Sequence, residues 1–197
     1  MDTFRKISIT FIASVAVLGT AGGVDAAKKS GAMCANRAAT ITSSNATIYG
    51  TESSDVIVVT GGGKHTIQAL GGDDIICGSS GTDIVYGGHG NDRIDGRGGN
   101  DDLDGDLGDD IILGNNGNDA VSGGDGRDYL FGMNGDDDIT GDSGDDVIFG
   151  GNGSDDLAGS AGVDLIVGGE GDDTIIEEVG VDIVFDPEPR GFEFRSK

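Results

Sequence analysis

The hydrophobic positions of the chain recur every nine residues over most of its length. Residues 60–185 divide into fourteen units of nine without an insertion, and the eighth position of each unit is Ile, Leu or Val. The fourth position is always glycine, and the sixth is aspartate in every unit except the first, which has His65. The aliphatic positions are Ile67, Ile76, Val85, Ile94, Leu103, Ile112, Val121, Leu130, Ile139, Ile148, Leu157, Ile166, Ile175 and Val184. This regularity predicts a stack of equivalent structural units.

Each unit is predicted to contain a turn followed by a short strand. Residues 87–95, GGHGNDRID, give the clearest copy of the pattern. Glycines in the first four positions permit positive φ angles and close approach of the backbone, as a tight turn requires. Successive side chains of a strand point to opposite faces. The aliphatic residue at position eight is therefore predicted to point inward, and its two neighbours outward.

A second period, of eighteen residues, marks the outward positions. From Ile111 onward, both neighbours of the aliphatic residue are apolar in alternate units, whereas the intervening units have neighbours such as Asp102 and Asp104. Arg93 and Asp95 interrupt the apolar series before Ile111. We therefore predict two units per coil, about seven coils, and two sheets, one with an apolar outer face and one with a polar, acidic outer face. The predicted apolar face consists of Ile111, Leu113, Tyr129, Phe131, Val147, Phe149, Leu165, Val167, Ile183 and Phe185.

The repeated unit resembles the RTX, or haemolysin-type, calcium-binding nonapeptide repeat. The resemblance covers residues 60–185 and implies an all-β fold, a right-handed parallel β-roll with two repeats per coil. It also implies that sixth-position aspartates and turn carbonyls bind multiple Ca²⁺ ions, a cation that takes six to eight oxygen ligands. The first unit departs from the family pattern, because Lys64 and His65 replace x-Asp. The implied ligands are Asp74, Asp83, Asp92, Asp101, Asp110, Asp119, Asp128, Asp137, Asp146, Asp155, Asp164, Asp173 and Asp182.

The composition adds a condition to this prediction. The chain has 39 glycines, no tryptophan and a formal net charge of −24. Such a composition is also typical of disorder, although disorder gives no reason for an aliphatic residue in every ninth position. We therefore expect folding to be coupled to calcium, with about twelve ions offsetting the charge. The acidity excludes nucleic-acid binding through a basic surface.

The ends of the chain differ from the repeats. Residues 1–26 resemble a secretory signal peptide, with Arg5 and Lys6 before an apolar run too short for a membrane span, which predicts an extracellular protein. We interpret residues 27–59 as an N-terminal cap with a degenerate repeat, and residues 186–197 as a tail. Cys34 and Cys77 are expected to form a disulfide in an oxidising compartment, the alternative being two free thiols. No other stretch of the sequence is apolar enough to span a membrane.

Three classes of function remain open at this point. The first is a secreted, non-enzymatic protein that folds on binding calcium and has a structural role. The second is an interaction protein whose apolar sheet face binds a partner or forms a homodimer, unless the chain's own tail, with Phe192 and Phe194, covers that face. The third is an enzyme or a toxin fragment, which the sequence disfavours because no nucleophile or base cluster accompanies His65 and His89.

Overall fold

A computed structural model describes residues 33–176 and the backbone of residues 183–185. This part of the chain contains nineteen short strands and no helix. The strands are β1 (Met33–Cys34), β2 (Arg37–Ala38), β3 (Ile41–Ser43), β4 (Thr47–Tyr49), β5 (Val56–Val59), β6 (His65–Gln68), β7 (Ile75–Cys77), β8 (Asp83–His89), β9 (Arg93–Gly98), β10 (Asp102–Leu107), β11 (Ile111–Asn116), β12 (Ala120–Asp125), β13 (Tyr129–Asn134), β14 (Asp138–Ser143), β15 (Val147–Asn152), β16 (Asp156–Ala158), β17 (Leu165–Glu170), β18 (Thr174–Ile176) and β19 (Ile183–Phe185). The proposed signal peptide and tail, together with Asp182, lie outside the described residues.

The chain alternates between two parallel sheets. The odd-numbered strands from β3 to β19 make a nine-stranded sheet, and the even-numbered strands from β4 to β18 make an eight-stranded sheet. Each strand pairs with the strand two places later in the sequence, so that one coil contributes one strand to each sheet. The predicted parallel β-roll with two repeats per coil is confirmed. No helix long and apolar enough to cross a membrane occurs within the described ranges.

The aliphatic ladder fills the space between the sheets. Ile94, Ile112 and Leu130 are in direct register on neighbouring strands, eighteen residues apart, and none of them is exposed. The aliphatic residue of every unit from Ile67 to Ile166 is buried in this single core, and Ile175 packs against its end. Because each unit buries only one large side chain, the core is a narrow column that depends on the strand register.

The solenoid begins before the first regular repeat. β3 and β4 pair in parallel with β5 and β6, which extends the structure to about eight turns. The expectation of about seven coils counted only residues 60–185 and therefore missed this first coil. The frame slip near Val59 is visible in the register, because Ile57 pairs with Ile76 at an offset of nineteen residues. Val59 itself points into the core.

A small second core covers the outer face of the nine-stranded sheet at this end. The antiparallel pair β1 and β2 brings Cys34 over the sheet, where it is buried with Val56, Val58 and Cys77. Cys34 and Cys77 form a disulfide, with their Cα atoms 5.8 Å apart, which confirms the predicted bond. The bond ties two segments 43 residues apart and holds the hairpin against the sheet.

Candidate metal centre

The turns that carry the aspartates are held close together by glycine. Gly99, in the fourth position of its unit, has a φ of 124°, which L side chains rarely adopt. A Cβ atom added at this glycine would lie 2.7 Å from the carbonyl oxygen of Gly81 in the preceding coil. Since glycine fills the fourth position of every unit, successive turns stack in direct backbone contact. The stacking places equivalent aspartates eighteen residues apart above one another.

The sixth-position aspartates form one row along each side of the solenoid. Each aspartate backbone N–H donates a hydrogen bond of 2.6 to 3.0 Å to Oδ1 of the aspartate eighteen residues later. We call the series Asp74, Asp92, Asp110, Asp128, Asp146 and Asp164 the first row. The series Asp83, Asp101, Asp119, Asp137, Asp155 and Asp173 is the second row. The register of the sheets thereby fixes the position of Oδ1 of each accepting aspartate.

The other carboxylate oxygen, Oδ2, is buried in most members of the two rows and accepts no hydrogen bond. A buried carboxylate oxygen without a partner costs free energy, so these atoms require an explanation. The same buried Oδ2 atom without a hydrogen bond recurs in successive turns. This group, which we call the partnerless aspartates, comprises Asp74, Asp92, Asp101, Asp110, Asp119, Asp128, Asp137, Asp146 and Asp155.

Glycine in the first position of the unit keeps a space open beside each Oδ2 atom. A Cβ atom added at Gly87 would lie 2.6 Å from Asp92 Oδ2 and 2.8 Å from the Gly105 carbonyl oxygen of the next coil on that side. At Gly96 the equivalent distance is 2.6 Å to Asp101 Oδ2. A carboxylate oxygen and a carbonyl oxygen therefore converge on the same small space. We call this repeated feature the glycine cradle.

Burial changes the proton affinity of the aspartates. The pKa of Asp110 is raised to about 8, chiefly by loss of hydration; the Asp92 backbone N–H lowers this pKa and the neighbouring carboxylates raise it. Burial likewise raises the pKa of Asp101 and of Asp146 to about 7. Protein groups in the two rows do not fully replace the hydration that the charged carboxylates lose on burial. A cation close to the carboxylates would stabilise their charged form.

The donor chemistry of the cradles fits a hard cation. Among the residues that the structure describes, no three or more His, Cys, Asp or Glu side chains are grouped closely enough to hold a metal by themselves. An ion here would need backbone carbonyls as well as one carboxylate from each turn. Calcium accepts such mixed oxygen ligands in a flexible geometry, whereas zinc prefers nitrogen and sulfur.

Two aspartates near the start of the solenoid differ from the rest. The ring N–H of His65 donates to Asp83 Oδ1, with Nδ1 2.8 Å away, and the Ser79 backbone N–H donates to Asp83 Oδ2 at 2.6 Å. Asp55, which precedes the first row, accepts hydrogen bonds from Thr40 and Thr51. The sequence grouped Asp83 with the other aspartates, because its own unit follows the repeat and its contact with His65 is to a residue of the preceding coil.

The structure places the predicted apolar face on the outside of the nine-stranded sheet. Tyr129 is 44% exposed and Ile111 36% exposed, and the rings of Phe131 and Phe149 stack with centroids 5.3 Å apart. The remaining apolar neighbours up to Val167 are half-buried by one another along the strands. The backbone of β19 continues the register, and the side chains of Ile183 and Phe185 lie outside the described residues.

Comparison with known families supports the interpretation of the turns. A family model described as the RTX calcium-binding nonapeptide repeat matches the chain in copies over residues 49–85, 59–94, 78–112, 113–148 and 149–184. These segments cover well over half of the 197 residues. The family is a calcium-binding repeat of the structural β-roll type and is not a known enzyme family. No curated protein matches the chain.

Proposed function

Because the chain belongs to the RTX calcium-binding nonapeptide repeat family, we propose that it is a secreted protein whose β-roll folds when it binds calcium. The observation that carries this proposal is the series of partnerless aspartates, whose buried Oδ2 atoms face glycine cradles. Metal-free folding would leave these oxygens without compensation. Calcium therefore acts as a structural component, and its role here is to neutralise and bridge stacked turns.

The ions are held by the two rows. The proposed ligands are the partnerless aspartates other than Asp74, whose unit begins with Ala69, together with Asp164, Asp173 and turn carbonyls such as that of Gly105. Asp182 is assigned by its repeat position alone. Bridging ions reduce the repulsion between carboxylates that the hydrogen-bonded register brings close together. The metal and the fold consequently stabilise each other, and affinity rises with the number of coils already ordered.

Export would allow the protein to fold after it has left the cell. The proposed signal peptide directs the chain out of the cell, where modules of this kind commonly bind calcium with dissociation constants of about 10⁻⁴–10⁻³ M. The repeats of residues 93–176 would remain unfolded where calcium is scarce and become a rigid rod outside. We propose a structural or interaction role for this rod and no catalytic one, since the chemistry of the turns is explained by ion binding.

A calcium titration followed by far-UV circular dichroism tests the proposal. We expect a cooperative gain of β signal with calcium and its loss with a chelator. Asp137→Asn and Asp138→Asn form a matched pair, because Asp137 is buried in the second row and its neighbour Asp138 is exposed on β14. Only Asp137→Asn should raise the calcium concentration needed for folding. A full β signal in the metal-free protein would refute coupled folding.

The apolar face supports a second role, homodimerisation. The apolar face spans three residues of each of β11, β13, β15 and β17. With a rise of about 3.3 Å per residue and a strand spacing of about 4.8 Å, it presents only a few hundred Å². Stable interfaces bury about 800 Å² on each partner, so contact through this face alone would be weak and concentration-dependent. Calcium would favour it by reducing the charge repulsion between two acidic chains.

Sedimentation of the calcium-loaded protein at several concentrations tests this second role. Phe131→Asp with Phe149→Asp should keep the protein monomeric, because both side chains point away from the core. Thr140→Asp, on the outer face of the other sheet, provides the control and should leave the association unchanged. A monomeric wild type at all concentrations would exclude homodimerisation through the face.

A further inference from the structure

Two buried carboxylates of the first coils, those of Asp55 and Asp83, have both oxygens hydrogen-bonded to protein groups, whereas Asp74 keeps a buried Oδ2 without a hydrogen bond. Thr40 Oγ1 donates to Asp55 Oδ1 at 2.8 Å, while the backbone N–H and the hydroxyl of Thr51 each donate to Asp55 Oδ2 at 2.9 Å. Asp55 is only 8% exposed, so these hydrogen bonds replace its hydration. Its environment is complete without a metal ion, in contrast to that of the partnerless aspartates.

Asp83 is satisfied in a different way at the head of the second row. His65 occupies the sixth position of its unit, where the other units have aspartate, and pairs in register with Asp83. Both residues are buried, and Nδ1 of the ring lies 2.8 Å from Asp83 Oδ1. Since the Ser79 N–H donates to Oδ2, both oxygens of Asp83 accept hydrogen bonds from protein groups. The imidazole of His65 occupies the sixth position, where the other units have a carboxylate. His65, and not an aspartate of the preceding coil, therefore lies beside Asp83.

The glycine cradle is filled in the unit of residues 69–77, whereas the next unit keeps a glycine, Gly78, in that position. Ala69 holds the first position of its unit, equivalent to Gly87 and Gly96, and it is fully buried in the core cluster. At those glycines an added Cβ would lie 2.6 Å from the aspartate Oδ2 of the same turn. By this equivalence, the methyl group of Ala69 takes the space beside Asp74 that later turns leave for an ion. Val59 in the preceding turn adds a further inward aliphatic side chain.

Apolar packing and a covalent bond reinforce the same coils. The Cys34–Cys77 disulfide fixes the hairpin over the sheet, and Val56 and Val58 are buried beneath it. β5 and β7 therefore have apolar burial on the outer face as well as in the central column. From β9 onward, the described coils have one large inward side chain per unit and no outer cover of this kind.

We propose that residues 33–89, the N-terminal unit, fold without calcium and template the calcium-dependent coils that follow. This inference rests on the proposed function for residues 93–176. The edges of β7 and β8 present ordered backbone groups to β9 and β10, and Asp92 and Asp101 begin the two rows in which a partnerless aspartate faces a glycine cradle. Adding one coil to an existing edge avoids the cost of starting a solenoid from a disordered chain.

Hydrogen–deuterium exchange of the full mature chain, read by mass spectrometry, tests the proposal. In chelator, amides of β3–β8 should exchange at least about tenfold more slowly than those of β9–β18. Saturating calcium should slow exchange throughout residues 93–176. Fast exchange of both regions in chelator, with protection of both by calcium, would overturn the N-terminal unit and leave calcium-coupled folding intact. If calcium protects neither region, the proposed function itself is wrong.

Substitution of His65 tests the role of its hydrogen bond to Asp83, the first aspartate of the second row. His65→Asp restores the repeat pattern, so residues 41–89 should lose protection in chelator and regain it with calcium. His65→Ala should lose protection in chelator, because Asp83 loses its partner. His89→Ala is the matched control, since His89 is exposed at the end of β8. Unchanged exchange in chelator for both His65 variants would contradict the role assigned to this residue.

Discussion

Gly96 and Gly98 lie two residues apart on β9 and offer a matched test of the glycine cradles. The Gly96→Ala methyl would lie 2.6 Å from Asp101 Oδ2, 3.1 Å from the Gly114 carbonyl oxygen and 3.2 Å from Leu103 Cδ1. The Gly98→Ala methyl has its nearest neighbour, the carbonyl oxygen of Asn116, at 3.7 Å, an ordinary contact. Neither glycine has a positive φ. The two substitutions therefore differ chiefly in whether they occupy a cradle.

The structure gives a magnitude for the difference. Inserting a methyl group into a tightly packed site costs about 1–3 kcal/mol. In saturating calcium, Gly96→Ala should therefore lower the free energy of unfolding by about that amount, roughly a 5- to 150-fold change in the folding equilibrium. Gly98→Ala should change it by less than about 1 kcal/mol and can stabilise the fold, because alanine restricts the unfolded chain.

The assay must read stability at fixed calcium. If about twelve ions bind as the chain folds, a 2 kcal/mol loss shared among them shifts the calcium midpoint only about 1.3-fold. Urea unfolding at saturating calcium gives the full difference, and native mass spectrometry counts the ions. Gly96→Ala should bind fewer ions than Gly98→Ala. Equal stability and equal ion counts in the two variants would refute the assignment of the cradles as ion sites.

Three further predictions follow from packing, the disulfide and the pKa values. Leu130→Ala should destabilise the calcium-loaded protein by about 2–5 kcal/mol in urea unfolding, whereas Leu113→Ala, outside the column, should cost much less. Replacing Cys34 and Cys77 by alanine should lower stability by up to about 4 kcal/mol, seen as a lower Tm than in the oxidised wild type. Burial raises the pKa of Asp110 to about 8, well above its unfolded value near 4, so its protonated form stabilises the metal-free fold at low pH and this contribution is lost as the pH rises through 8. Circular dichroism of the metal-free protein should accordingly show more β structure at pH 5 than at pH 8, while calcium affinity changes in the opposite direction; no pH effect in either would contradict the buried rows.

The repeat determined most of the architecture from the sequence alone. A strand alternates its faces every two residues, so a nine-residue period with one aliphatic position specifies which side chains enter the core. The eighteen-residue alternation of flanks such as Ile111 and Asp102 likewise assigned units to two sheets. The nine-residue period and the eighteen-residue alternation are local and recur many times, so they can be recognised without a structure. The sixth-position aspartates were identified as site candidates for the same reason.

Only the tertiary structure separated the aspartates from one another. Asp83 and Asp92 occupy the same position of their units, yet His65 and Ser79 satisfy the first, and the second keeps a buried Oδ2 beside a glycine cradle. The difference depends on contacts between residues that the parallel register brings together from successive coils. The same holds for the cover that Cys34 places over the nine-stranded sheet. Position within the repeat sets the direction of each side chain, and stacking of the coils decides what it meets.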